Sequence, residues 1–166
     1  PATKCSCFVA SPNLFCRVMR SLVLLAASLG VASAYLGIDA EQPISTSTFS
    51  CTRDNGYSFY ISRIYRSNGA VDTTGIQNIK NAWSAGLSHV DAYIFPCHSS
   101  SCPGAAGQVE DALNEMWSRG TIAGRLWLDV EIYNWGSNQN TNRQFILDMA
   151  NKAEQMGAQV GIYTNN

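Results

Sequence analysis

The chain predicts an α/β protein built on a parallel sheet, either open or closed into a barrel. Three observations carry this. Segments with strand character alternate with segments of helical periodicity from Tyr35 to Asn166, joined by short connections. The strand segments are short and rich in apolar, aromatic or β-branched residues, whereas the helical ones repeat apolar residues at spacings of three and four. Acidic residues fall near the C-terminal ends of strands, where ligands sit in parallel folds.

The elements follow in order. Tyr35 to Ala40 reads as a first strand, with Leu36 and Ile38 on one face and Gly37 and Asp39 on the other. Pro43 breaks it, and Ser45 or Thr46 can cap a short helix ending near Asn55-Gly56. Ser58 to Tyr65 is a second strand. Ser67-Asn68-Gly69 makes a turn, after which Asp72 or Thr73 caps a helix carrying Ile76, Ile79 and Trp83, stopped by Gly86. Val90 to Pro96 is the third strand, with Asp91, Tyr93 and Phe95 on one face. A Ser/Cys/Pro/Gly-rich loop leads to a helix with Val109, Ala112, Leu113 and Met116 as its stripe, closed by Gly120. Arg125 to Glu131 is the fourth strand. An Asn-rich segment from Asn134 to Asn142 precedes a helix with Ile146, Met149, Ala153 and Met156, and Val160 to Thr164 is the fifth strand. Trp83 and Trp117, both on helices, are assigned to the core.

The N-terminal part has a different character. Met19-Arg20 is a short positive head, Leu22 to Ala32 is apolar, and Ala32-Ser33-Ala34 offers a small-x-small cleavage site. This order predicts a secretory signal peptide over 19–34, preceded by upstream sequence at 1–18 that is not translated. Residues 35–166 would then form the mature domain, secreted or carried to a lysosome or phagosome. Losing Lys4, Arg17 and Arg20 while keeping all 12 acids leaves eight basic residues and a formal charge of −4. Mild acidity argues against nucleic-acid binding, which needs clustered cations, and against charge-driven adhesion to anionic membranes. No phosphate loop or Gly-x-Gly-x-x-Gly follows the first strand, so nucleotide chemistry is disfavoured.

Three cysteines remain in the mature segment. In an oxidising compartment Cys97 and Cys102 could close a small loop, leaving Cys51 with a partner beyond the chain. Zinc is the rival for Cys97, His98 and Cys102, but their spacing is not that of a finger or ribbon. His89 and His98 are expected at surface or capping positions, which disfavours a metal-dependent enzyme.

Chemistry concentrates in Leu126-Trp127-Leu128-Asp129-Val130-Glu131. In a strand Asp129 and Glu131 point the same way, together with Arg125 and Trp127, while Leu126, Leu128 and Val130 make an apolar back. Carboxylates converging beside aromatic rings suit glycosidic cleavage, which needs one protonated acid and one charge-stabilising carboxylate. Crowding and burial raise the pKa of at least one of them. Tyr65, Tyr93, Trp127, Tyr133, Trp135 and Tyr163 could offer faces on which sugar rings stack.

Five motifs in register carry a resemblance. Gly37-Ile38-Asp39, Ser62-Arg63-Ile64-Tyr65, Asp91-Ala92-Tyr93-Ile94-Phe95-Pro96, Leu128-Asp129-Val130-Glu131 and Gly161-Ile162-Tyr163-Thr164-Asn165 together resemble the family 25 glycoside hydrolases, lysozymes of the Chalaropsis type, in their nematode and amoeba branch. The resemblance spans Tyr35 to Asn166. It implies a TIM-like (β/α) barrel of which about the first five strands are present. The implied activity is that of a lysozyme cutting the β-1,4 bond between N-acetylmuramic acid and N-acetylglucosamine in bacterial peptidoglycan, for digestion or antibacterial defence. It would need no cofactor or metal and act as a monomer when complete. The resemblance further implies Glu131 as proton donor, Asp129 as charge stabiliser or acetamido-positioning group, and Asp39 as a third acid of the cleft. Tyr93 matches a position at the active-site wall. With it, Arg63, Tyr65, Trp127 and Tyr163 are the candidate substrate-binding residues. With three barrel strands still expected, the chain as it stands would be unstable and inactive alone.

Two other functions fit parts of this pattern. Chitinase-type barrels also end their fourth strand in acids, but with a longer alternating acidic run than Arg125-x-Trp127-x-Asp129. A non-catalytic carbohydrate-binding or immune-interaction protein need not keep Asp39, Asp129 and Glu131 together.

Overall fold

The computed structural model describes residues 35–131 and 135–165. The segments read as a signal peptide and as upstream sequence, and the candidate stacking residue Tyr133, lie outside these. The described chain alternates strictly: β1 (Leu36–Asp39), α1 (Thr46–Asp54), β2 (Tyr57–Tyr65), α2 (Thr73–Ser84), β3 (His89–Ile94), α3 (Ala105–Ser118), β4 (Leu126–Val130), α4 (Gln139–Gln155) and β5 (Val160–Thr164). The strands form one sheet in the order β1-β2-β3-β4-β5, every neighbouring pair parallel.

That order has a consequence for where the helices go. A crossover between parallel strands is right-handed, so helices change face only where the strand order reverses. Here it never reverses, and the helices collect on one side. The sheet is an arc with helices on its convex face and an open concave face, the arrangement of the wall of a (β/α) barrel. Among the described residues the arc is not closed.

Even-numbered strand residues build the core. Tyr60, Ile64, Val90, Ala92, Ile94, Leu126 and Leu128 are almost fully buried. They meet Phe49 of α1, Ile76, Ile79 and Ala82 of α2, Val109, Ala112, Leu113 and Met116 of α3, and Met149 and Ala153 of α4. Burying each large aliphatic side chain contributes about 1.5–3 kcal/mol, so this layer supplies the main drive for folding.

Local signals set the helix ends. Ser45, Asp72 and Asn138 are N-caps whose side chains accept from Thr48 N, Gly75 N and the pair Asn140 N and Thr141 N. At the C-termini of α2 and α3, Gly86 and Gly120 adopt φ of 80° and 70°. There Leu87 N donates to Ala82 O and Thr121 N to Met116 O, closing Schellman turns that only glycine enters without strain.

Two core assignments are corrected. Trp83 and Trp117 are 37% and 39% exposed, and they line one surface depression together with exposed Ile122. In each helix the preceding residue, Ala82 or Met116, takes the last core position. The next residue is rotated by roughly 100° and leaves the interface. Trp83 Nε1 instead donates to Ile122 O at 2.7 Å.

Candidate active site

The concave face of the arc carries a cleft of about 520 Å3, lined by Asp39, Glu41, Ile61, Arg63, Ser67, Tyr93, Phe95, Trp127, Asp129, Glu131 and Tyr163. A volume of this order suits a small ligand or a short stretch of polymer. Strand parity explains the set: every lining residue within a strand is odd-numbered, opposite to the even-numbered core. The structure therefore brings the three predicted acids, Asp39, Asp129 and Glu131, into one cleft with Arg63, Tyr93, Trp127 and Tyr163.

The acids sit in unequal surroundings. Asp129 is 9% exposed, and its Oδ1 is buried without a hydrogen-bond partner among the described residues. Burial, then the neighbouring Glu131, then Asp39 push its carboxyl up to about 6. Burial also raises Asp39, with Glu41 adding to the rise and Arg63 opposing it. Like charges crowded in this way oppose one another's ionisation. The Tyr93 hydroxyl, desolvated and facing Asp39, Glu41 and Asp129, is held well above the usual phenol range and stays protonated.

Trp127 is fixed from several sides. Asp91, deeper on the same face of the sheet, accepts from Trp127 Nε1 through Oδ2 and from Arg125 N through Oδ1, both at 2.9 Å. The Arg125 guanidinium lies 5.3 Å from the centre of the indole. A Cβ on Gly161, across the sheet, would stand 2.5 Å from a ring carbon. Glycine at that position is what lets the indole lie against β5.

Arg63 belongs to an ion network that reaches from the cleft into the protein. Its Nε donates to Asp72 Oδ2 at 2.9 Å and its Nη1 to Glu41 Oε1 at 2.5 Å. Asp72 also accepts from Arg66 Nη2 at 2.7 Å and from Gly75 N at 3.3 Å. Burial would raise the Asp72 carboxyl, but the bonds from Arg66, Arg63 and Gly75 outweigh it and hold the group below the usual carboxylate range.

Tyr65 does not join the site. It is fully buried, and its hydroxyl donates to Gly69 O at 3.0 Å. The register of β2 against β3 slips between Arg63 and Tyr65. This irregularity turns Tyr65 off the parity of Ile61 and Arg63 and into the protein. Trp135 is also elsewhere, packed on His98 and Phe145 with ring centres 3.9 Å apart for the first pair and 6.1 Å for the second. His98 is not a surface or capping residue: it is sandwiched in that cluster, with Nε2 buried and unpartnered among the described residues and its pKa lowered by burial.

Cys97 and Cys102 are disulfide-bonded as expected, and Cys51 is disulfide-bonded as well. Buried Gln108 of α3 holds the small Cys97–Cys102 loop, its Oε1 accepting from Cys97 N and its Nε2 donating to the carbonyls of Cys97 and Pro103. Sequence reading missed Glu41, Ile61, Ser67 and Phe95 as lining residues, and Asp91 as the group that orients Trp127. For Glu41 a signal existed: it lies two residues beyond Asp39, on the same parity.

Comparison with known proteins gives the site a family. Residues 30–166 match a family model described as lysozyme-like protein 1. The chain is 51% identical over 135 residues to lysozyme-like protein 5 of Caenorhabditis elegans, covering 81% of this chain and 63% of that protein. It is 34% identical over 149 residues to a probable GH family 25 lysozyme 2 of Dictyostelium discoideum, covering 90% of this chain and 69% of the relative. The chain thus spans about two thirds of the length of these relatives. Among solved structures, the muramidase from Acremonium alcalophilum shares the fold with a TM-score of 0.60 at 20% identity, over 78% of this chain and 64% of that one. The chain belongs to the lysozyme-like proteins of glycoside hydrolase family 25.

Proposed function

We propose that this chain is part of a muramidase that hydrolyses the β-1,4 bond between N-acetylmuramic acid and N-acetylglucosamine in peptidoglycan, on a (β/α) barrel of which β1 to β5 form one arc. The observation that carries this reading is the convergence of Asp39, Asp129 and Glu131 in one cleft with Tyr93 and Trp127, in a chain of the lysozyme family. Fixed aromatic faces suit sugar rings, and crowded carboxylates suit a bond whose cleavage needs both a proton and a negative charge.

The roles follow from the surroundings. Glu131, at the end of β4, donates a proton to the leaving glycosidic oxygen as the bond to the anomeric carbon breaks. Asp129 behind it and Asp39 from β1 supply negative charge to the oxocarbenium-like centre. Water then adds its hydroxyl to that carbon and returns its proton to the acids. The carboxyl of Asp129, raised to about 6, carries its negative charge only above that range. Its charge-stabilising role predicts that activity falls as pH drops through that range. The Met19–Ala34 pattern supports a secreted or lysosomal protein acting in digestion or defence.

The test is release of reducing ends from purified bacterial walls by the full-length protein, with Glu131→Gln as control. The parent should clear the suspension and the variant should be slower by about 10²–10⁴-fold. A parent that binds walls without cutting them would replace this reading with a non-catalytic carbohydrate-binding protein.

A further inference from the structure

Glu41 is an acid of the cleft with no part in the chemistry above, and its position is firmly built. It lies in the connection between β1 and α1, whose backbone is held from the helix side. Asn78 of α2, 1% exposed, donates through Nδ2 to Gln42 O and accepts through Oδ1 from Ile44 N, both at 2.8 Å. Asn81 Nδ2 donates to Ile44 O at 2.7 Å, and Tyr60 OH to Ala40 O at 2.8 Å. These bonds fix the backbone on both sides of residue 41 and leave its side chain to the cleft.

There Glu41 Oε1 takes Arg63 Nη1 at 2.5 Å and, more loosely, Tyr93 OH at 3.4 Å. Arg63 is the only cation among the described residues that line the cleft, beside four carboxylates. Its Nε is already committed to Asp72. A free Arg63 would be a ready receptor for a carboxylate, because a guanidinium pairs with one through two parallel bonds. Glu41 stands where such a carboxylate would bind and repels it as a like charge.

We infer that Glu41 is a specificity-determining residue, which occupies Arg63 and Tyr93 so that this end of the cleft admits neutral sugar and amide groups and turns away free carboxylates. The inference rests on the reading of the cleft as a glycan site. It narrows the substrate class to strands whose lactyl carboxylates are amide-linked, as where stem peptides are attached, in preference to the free acid.

Binding without turnover separates this inference from the enzymatic reading. The two ligands are oligosaccharides of alternating N-acetylmuramic acid and N-acetylglucosamine, identical except that the lactyl carboxylates are free in one and methylamidated in the other. Kd is measured by calorimetry on full-length Glu131→Gln protein, with and without Glu41→Gln. The parent site should prefer the amide. Glu41→Gln should shift the ratio of the two Kd values toward the free acid by about tenfold, less at high salt, while Glu41→Asp keeps the parent preference. A ratio unmoved by Glu41→Gln, or a parent preference for the free acid, overturns the inference even if the enzyme clears walls. A shifted ratio in a protein that does not clear walls leaves the inference standing and removes the muramidase. A parent that binds neither ligand overturns both. Should Glu41→Gln not fold, the parent preference alone decides.

Discussion

Asp72 and Asp129 are both buried aspartates of one small domain, 0% and 9% exposed, yet their carboxyls move in opposite directions. Asp72 is surrounded by donors: two arginines and a backbone amide at the start of α2 satisfy both oxygens. Asp129 has an oxygen unpartnered among the described residues and two acids as electrostatic neighbours. Burial penalises the charge in both, and compensation decides the outcome. A fully compensated carboxylate is an anchor. An uncompensated one is kept at a cost to stability, and its charge is the more available to a cationic centre beside it.

The comparison makes quantitative demands on stability, which chemical denaturation of the full-length protein can read. Asp72→Asn should have the largest effect, a loss of about 2–4 kcal/mol at neutral pH, because it leaves Arg63 without its inner partner and removes the strongest acceptor at the α2 N-terminus. The sign with pH follows from the lowered carboxyl. The contribution of Asp72 is complete above the ordinary aspartate pKa and lost as pH falls through the lower folded value, so the gap between variant and parent should close in strong acid. A variant as stable as the parent at pH 7 would remove Asp72 as an anchor.

Asp129→Asn should act in the other direction. The folded carboxyl is raised from 3.8 to about 6, so the parent carries an unfavourable charge that develops as pH rises between those values. The variant should be more stable by about 1–2 kcal/mol above pH 6, after allowance for solvent in the open cleft, with no difference below about pH 4. A loss of stability at neutral pH would make Asp129 a structural group. The smallest effect belongs to Arg66→Gln. The Arg66 side chain is 41% exposed, and its loss should cost about 0.5–1 kcal/mol, since Asp72 keeps Arg63 and Gly75 N.

The strands, their alternation and the cleft acids were legible because each depends on local information. Parity along β4 places Asp129 and Glu131 on one face whatever surrounds the strand, and the structure agrees. The strand bounds shift by only a residue or two, and β5 is found at Val160–Thr164 as read. Position across elements was not legible. Tyr65 was misplaced because one irregularity in β2 reverses a parity that no nearby residue announces. Trp135 and His98 were misplaced because their partner, Phe145, comes from α4. Trp83 and Trp117 looked like core by size, but their places on the helices let a smaller or more flexible neighbour take the buried position. Asp91 could be put on the correct face, whereas its bond to an indole on the next strand depends on the pairing of β3 with β4.

Helix α2 holds both halves of the Glu41–Arg63 pair. Its N-cap, Asp72, grips Arg63, and its buried Asn78 grips the backbone beside Glu41. One charge comes from the β1–α1 connection and the other from β2, but they share one mount. Both grips cross from α2 to the sheet side, so a displacement of the helix against the sheet would strain both at once. The charge presented to a ligand at this wall is thus tied to how α2 lies on the sheet.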